Sequence, residues 1–89
     1  MNIENEIIDQ IIKYILKNHI SSFNQDTLPR NQSLLELGVL DSYGVVEMVA
    51  FIESNWNIQI LDMEITREKM GSIQKMASLV LEKLNTPST

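Results

Sequence analysis

Isoleucines recur three and four residues apart at the start of the chain, with polar residues filling the gaps. Ile3, Ile7, Ile8, Ile11, Ile12, Ile15 and Leu16 fall on one face of a 3.6-residue period. Glu6, Asp9, Gln10, Lys13 and Lys17 fill the other face. The pattern predicts a long one-sided helix from about residue 3 to residue 18. Isoleucine is β-branched and a middling helix former, so burial of the stripe, not propensity, must hold this helix.

From Ser21 to Leu40 the period lapses. SSFNQDTLPRNQ is rich in turn formers, and Pro29 blocks a continuing helix. Phe23, Leu28, Leu34, Leu35 and Leu37 dot this stretch and are expected to pin a long loop to the core. Gly38 offers a turn. A second helix is predicted from Asp41 or Ser42 to about Trp56, with Asp41 suited to the N-cap, where a carboxylate accepts backbone N–H bonds. Val45, Met48, Val49, Ile52 and Trp56 make one stripe of it, expected to be buried. Tyr43, Val46, Glu47, Ala50 and Ser54 make a second stripe on another face, with Glu53 beside it. That second face is either scattered surface apolars, which are common, or a surface on which a partner docks.

Asp62 to Thr66 reads as a loop into a short helical turn, with Thr66 as cap, Met70 as buried anchor and Gly71 as breaker. Ser72 then caps a last helix carrying Ile73, Met76, Ala77, Val80, Leu81 and Leu84 at helical spacing. The fold class expected is all-α: a small four-helix bundle of three main helices and a short third helix, with a long loop between helices 1 and 2.

Composition narrows the function. A chain of 89 residues makes one domain, placed at 1–85 with 86–89 a flexible tail, and is too small to enclose a deep catalytic cavity. No run is long enough to span a membrane, and the acidic opening MNIENEIIDQ does not resemble a signal peptide, so a cytoplasmic location without membrane insertion is expected. The net charge of −5 argues against nucleic acid as partner. Its distribution says more. Between Arg30 and Arg67 there is no Lys or Arg, while Glu36, Asp41, Glu47, Glu53, Asp62 and Glu64 all fall there. This acidic field either keeps the surface soluble or steers basic partners.

Candidate chemistry is sparse. The chain has no cysteine, so any thiol its function needs must be imported. Ser42 is not a hydrolase nucleophile, because Leu40 stands where the G-x-S-x-G elbow needs its first glycine. His19 is the only histidine and reads as a C-terminal helix residue favoured by the dipole. Nothing has the spacing of an EF-hand or another metal site. Two readings of Asp41-Ser42 stay open: a plain helix cap in an unmodified helical interaction module, or a serine presented for covalent attachment.

The run SLLELGVLDSYGVVEMVAFIE, residues 33–53, resembles the signature of acyl and peptidyl carrier proteins, and the order of elements along nearly the whole chain is similar to theirs. The resemblance implies a non-enzymatic carrier, monomeric and phosphoprotein in kind. Ser42 would bear a 4′-phosphopantetheine arm taken from coenzyme A, with Asp41 as the preceding acid and cargo held as a thioester. Tyr43, Val46, Glu47, Ala50, Glu53 and Ile65 would meet partner enzymes, and Ile60, Ile65 and Met70 would frame the core or the arm. The partners implied are a phosphopantetheinyl transferase, an acyl- or aminoacyl-loading ligase and downstream transferases. A separate Mg²⁺-dependent transferase would activate the Ser42 hydroxyl, so no local base is required. Gly44 would leave room beside the arm or make a tight contact with the preceding loop.

The sequence departs from the commonest pattern of that family. Tyr43 replaces the usual Leu or Met, the second helix carries fewer carboxylates than fatty-acid carriers, and Ala50 is small. Gly44 and the G-V-L-D-S run look closer to freestanding D-alanyl and aminoacyl carriers. The expected cargo is therefore a short acyl or aminoacyl group.

Overall fold

The chain, in a computed structural model that describes residues 3–19 and 23–85, places four α-helices in order: α1 Ile3–Asn18, α2 Ser42–Trp56, α3 Arg67–Met70 and α4 Ile73–Asn85. A single 3₁₀ turn, Asp62–Glu64, precedes α3, and the described residues form no strand. The expected tail at 86–89 lies outside the described residues.

The isoleucine stripe sets the core. Ile7, Ile8, Ile11, Ile12 and Ile15 are buried on α1 and pack mainly against α4, which buries Ile73, Met76, Ala77, Leu79 and Val80. Ile3 stays half exposed at the helix start and Leu16 is half-buried, so the working stripe is shorter than the period suggested. Leu79 is buried although it stands off the stripe read from the sequence, while Leu84 reaches the surface.

The long loop is ordered by backbone bonds across the molecule. Leu34 N–H donates to the Gly71 carbonyl (3.0 Å), and Gln74 N–H donates to the Arg30 carbonyl (2.8 Å), tying the loop to the α3–α4 junction. Leu34 in turn accepts from the N–H groups of Val39 and Leu40, closing a tight turn in which Gly38 takes φ +75°, a conformation that favours glycine. Leu28, Leu34, Val39 and Leu40 are buried beneath this loop, whereas Leu35 is exposed.

The caps follow the sequence. Thr66 Oγ1 accepts from Lys69 N–H (3.2 Å) at α3, and Ser72 Oγ accepts from Lys75 N–H (3.2 Å) at α4. Glu64 holds the 3₁₀ turn: its Oε1 accepts from Leu61 N–H (2.9 Å) and from Lys83 Nζ (2.6 Å), a pair only 12% and 23% exposed. Those bonds, with the lysine bond the largest cause, hold the Glu64 carboxyl below the ordinary glutamate range.

Candidate functional site

The start of α2 presents Ser42 to solvent. Asp41 adopts extended backbone (φ −110°, ψ −175°), and its Oδ1 accepts from Gly44 N–H at 2.7 Å. Because Asp41 supplies the cap, the Ser42 hydroxyl is left out of it. Ser42, Asp41 and Tyr43 are all exposed. The serine therefore stands at the positive end of a 15-residue helix, beside the orphan N–H groups of its first turn.

Beneath that turn the packing is tight. Gly44 is buried, and a Cβ added there would come within 3.2 Å of His19 Cε1 and of Leu40 Cδ2, and 3.3 Å of Asp41 Oδ1. The missing side chain therefore makes way for His19 and the preceding loop. His19 follows the end of α1 and wedges under α2. Its ring meets Tyr14 edge-on at 5.8 Å, and its Nε2 is buried without a hydrogen-bond partner. His19 N–H donates to the Ile15 carbonyl (2.9 Å), so it stands at the C-terminal end of α1 as the sequence suggested, and it packs beneath α2 as well. Gly44 lies about 200° round the helix from Ser42, so His19 sits under the first turn and not beside the serine hydroxyl, and no nucleophile–base pair forms. No cluster of three or more His, Asp or Glu able to hold a metal occurs among the described residues.

The two stripes of α2 separate. Met48, Val49 and Ile52 are buried with Gly44, while Val45 and Trp56 are only half-buried. On the other face Tyr43 is 69% and Val46 64% exposed, with Glu47, Ala50 and Ser54 exposed beside them. Glu53 is half-buried, and its Oε2 accepts from Ile60 N–H (2.9 Å), which anchors the segment after α2. Ile65 is half-buried and lines a cavity of about 100 Å³ with Leu34, Leu40, Val45, Met70 and Arg67. Ile60 and Met70 are buried in the core.

The acidic stretch is less naked than its sequence. Glu36 pairs with Arg67 (3.4 Å) and Glu64 with Lys83 (2.6 Å), while the Asp41 and Glu53 carboxylates hold backbone N–H groups. Glu47 and Asp62 are left without a cation among the described residues. No described helix is long and apolar enough to cross a membrane.

A second feature was not visible in the sequence. Between α1 and α2 runs an open groove of about 570 Å³ lined by Tyr14, Glu47, Ala50, Phe51, Ser54 and Asn55. Tyr14 and Phe51 stack there, ring centroids 4.2 Å apart and 19° from parallel, and Trp56 meets Phe51 edge-on at 5.8 Å. Tyr14 and Phe51 stand at helical spacing from Ile7 and Met48 but at the edges of those stripes, so only the relative rotation of the two helices reveals that they meet.

No family model matches the chain. Among curated proteins, the D-alanyl carrier protein of Streptococcus suis strain 98HAH33 is 38% identical over 55 residues, 62% of this chain and 70% of that protein. Aminoacyl carrier protein 2 of Bradyrhizobium diazoefficiens is 27% identical over 88 residues, 99% of this chain and 93% of that protein. A chain from a structure titled "Crystal structure of FAD-dependent dehydrogenase" is 31% identical with a TM-score of 0.67, covering 80% of this chain and 99% of that one. The matched chain is thus no larger than this one, which leaves no room for a dinucleotide-binding fold. That likeness brings no flavin chemistry to the present protein.

Proposed function

This chain belongs to the carrier-protein family, and we propose that it holds an acyl or aminoacyl group as a thioester on a 4′-phosphopantetheine arm joined to Ser42. The observation that carries the reading is the exposed Ser42, excluded from its own helix cap by Asp41 and set at the N-terminus of α2. The residues fit the arm. A free hydroxyl is open to an incoming enzyme, and the positive end of the α2 dipole suits a phosphodiester. When attached, the arm supplies the thiol that a cysteine-free chain lacks.

The chain's own residues bind and present. Asp41 fixes the first turn, while His19 and Leu40 pack beneath Gly44 and hold that turn against α1 and the loop. The serine is then offered on a rigid element rather than a mobile loop. The cavity of about 100 Å³ beside Val45 and Ile65 is small and leads off the first turn of α2. It offers little apolar space for the methylenes of a long acyl chain. This size favours a short acyl or aminoacyl cargo. Tyr43, Val46, Glu47 and Ala50 supply the face that meets a phosphopantetheinyl transferase, a loading ligase and downstream transferases, with the half-buried Glu53 and Ile65 contributing to partner contact at its margins.

Incubating the purified chain with coenzyme A and a phosphopantetheinyl transferase, then measuring intact mass, tests the reading. The native chain should gain the arm. Ser42→Ala should fold with the same helicity and gain nothing, because an exposed serine outside the cap contributes little to stability. Modification of the Ala variant would move the attachment site elsewhere. A native chain that stays unmodified would leave the Asp41-Ser42 pair as the cap of an interaction module.

A further inference from the structure

We propose that Arg67 exchanges its partner Glu36 for the phosphodiester at Ser42 once the arm is attached, and so holds the charged end of the arm beside α3. The inference rests on the carrier reading and deepens it, because it names the residue of this chain that meets the arm's charge.

The edge of α2 on which Ser42 stands decides what lies beside the arm. Round the helix, Ser42 is about 20° from Val49 and about 60° from Val45, but about 180° from Phe51. The serine therefore stands on the edge of α2 that carries Val45, opposite the aromatic groove shared with α1. Val45 lines the cavity of about 100 Å³ together with Thr66, Arg67 and Met70 of the α3 segment. Arg67 is the only charged residue in that lining, and α2 itself has no basic residue.

Arg67 is placed to change partners. Its contact with Glu36 is long, 3.4 Å, and the two side chains are 69% and 68% exposed, which makes a weak pair. Its backbone, by contrast, is fixed: Gly71 N–H (3.1 Å) and Lys75 Nζ (3.4 Å) both donate to its carbonyl. The guanidinium thus swings from a firm base. Its planar fork matches the two oxygens of a phosphodiester that share one negative charge, a better fit than a single carboxylate oxygen in water. The pair with Glu36 must also order two long side chains, whereas a group bonded to the rigid start of α2 leaves only the arginine to be ordered.

The chain holds only two arginines, Arg30 and Arg67, so the side-chain Nε resonances of ¹⁵N-labelled protein report each one before and after arm transfer from coenzyme A. The Arg67 signal should move on attachment while that of Arg30 stays. Glu36→Gln should move the Arg67 signal in the unmodified protein and leave it in place in the modified one. Arg67→Gln should shift the ³¹P resonance of the attached arm, and Arg67→Lys should restore it only in part. The Glu36→Gln spectra decide the matter even where Arg67→Gln melts early. An Arg67 signal that ignores attachment, equal movement of Arg30, or a ³¹P resonance indifferent to Arg67→Gln would overturn the proposal and leave the carrier reading standing, since intact mass reports the arm separately. A chain that gains no arm mass would overturn both.

Discussion

α1 and α2 are almost equal in length, 16 and 15 residues, yet they use their surfaces differently. On α1 the core face is five isoleucines, and the opposite face is polar, with Glu6, Lys13 and Lys17 exposed and Lys13 paired to Asp9 at 3.2 Å. On α2 the core face is narrower, and the outward face carries Tyr43, Val46 and Ala50 with no basic residue anywhere in the helix. A helix that only had to stay folded would resemble α1. The outward apolar residues of α2 do nothing for the core, so their presence is best explained by what the molecule meets.

The largest expected effects test the half of that comparison in which the two helices agree. Ile11 on α1 and Ile52 on α2 are both 0% exposed. Truncating either to Ala should cost about 2–5 kcal/mol through lost burial and a residual cavity, read as a lowered midpoint in urea. An α2 variant markedly milder than its α1 counterpart would mean that α2 is held less by its core than the burial suggests.

A smaller effect comes from the connection between α2 and α4. Glu64 has a folded pKa below its ordinary value. Its stabilisation is therefore fully present above the ordinary glutamate range, near pH 4.3, and is lost as pH falls through the lower folded value. Lys83→Met removes the chief cause of that shift. It should cost about 1 kcal/mol at neutral pH and flatten the acid limb of the stability curve. An unchanged acid limb would show that the pair contributes nothing to holding the 3₁₀ turn.

Much of this architecture was legible because it is local. The span of α1, the Asp41 cap, the Thr66 and Ser72 caps and the Gly38 turn each depend on residues within a few positions of one another. The carrier signature around Ser42 is equally local. What was hidden joins distant residues: His19 under Gly44, Glu53 on Ile60 N–H, Lys83 on Glu64, and Tyr14 on Phe51. Each needs the rotation of one element against another, which a single-helix period does not encode. Leu79 shows the same limit, being buried because α4 meets other elements over more than one face.

The smallest effect on stability separates the two faces of α2 most sharply. Val46 and Val49 are the same residue type three positions apart on one helix, so the native residues differ only in exposure. Val49 is 9% exposed and Val46 64%. Val49→Ala should cost about 2 kcal/mol, less than Ile52→Ala because fewer methyl groups leave the core. Val46→Lys should change stability by about 0.5 kcal/mol or less, since a long charged side chain at that exposure stays in water. It should nevertheless slow arm transfer to Ser42, because a positive charge one turn after the serine opposes the basic, apolar surface that a partner would bring. Thermal melts and transferase kinetics on both variants decide it. If Val46→Lys melts early while Val49→Ala does not, the helix is rotated from the orientation described. If Val46→Lys is both stable and normally modified, the outward apolar face of α2 is ordinary surface, and the contrast with α1 carries no function.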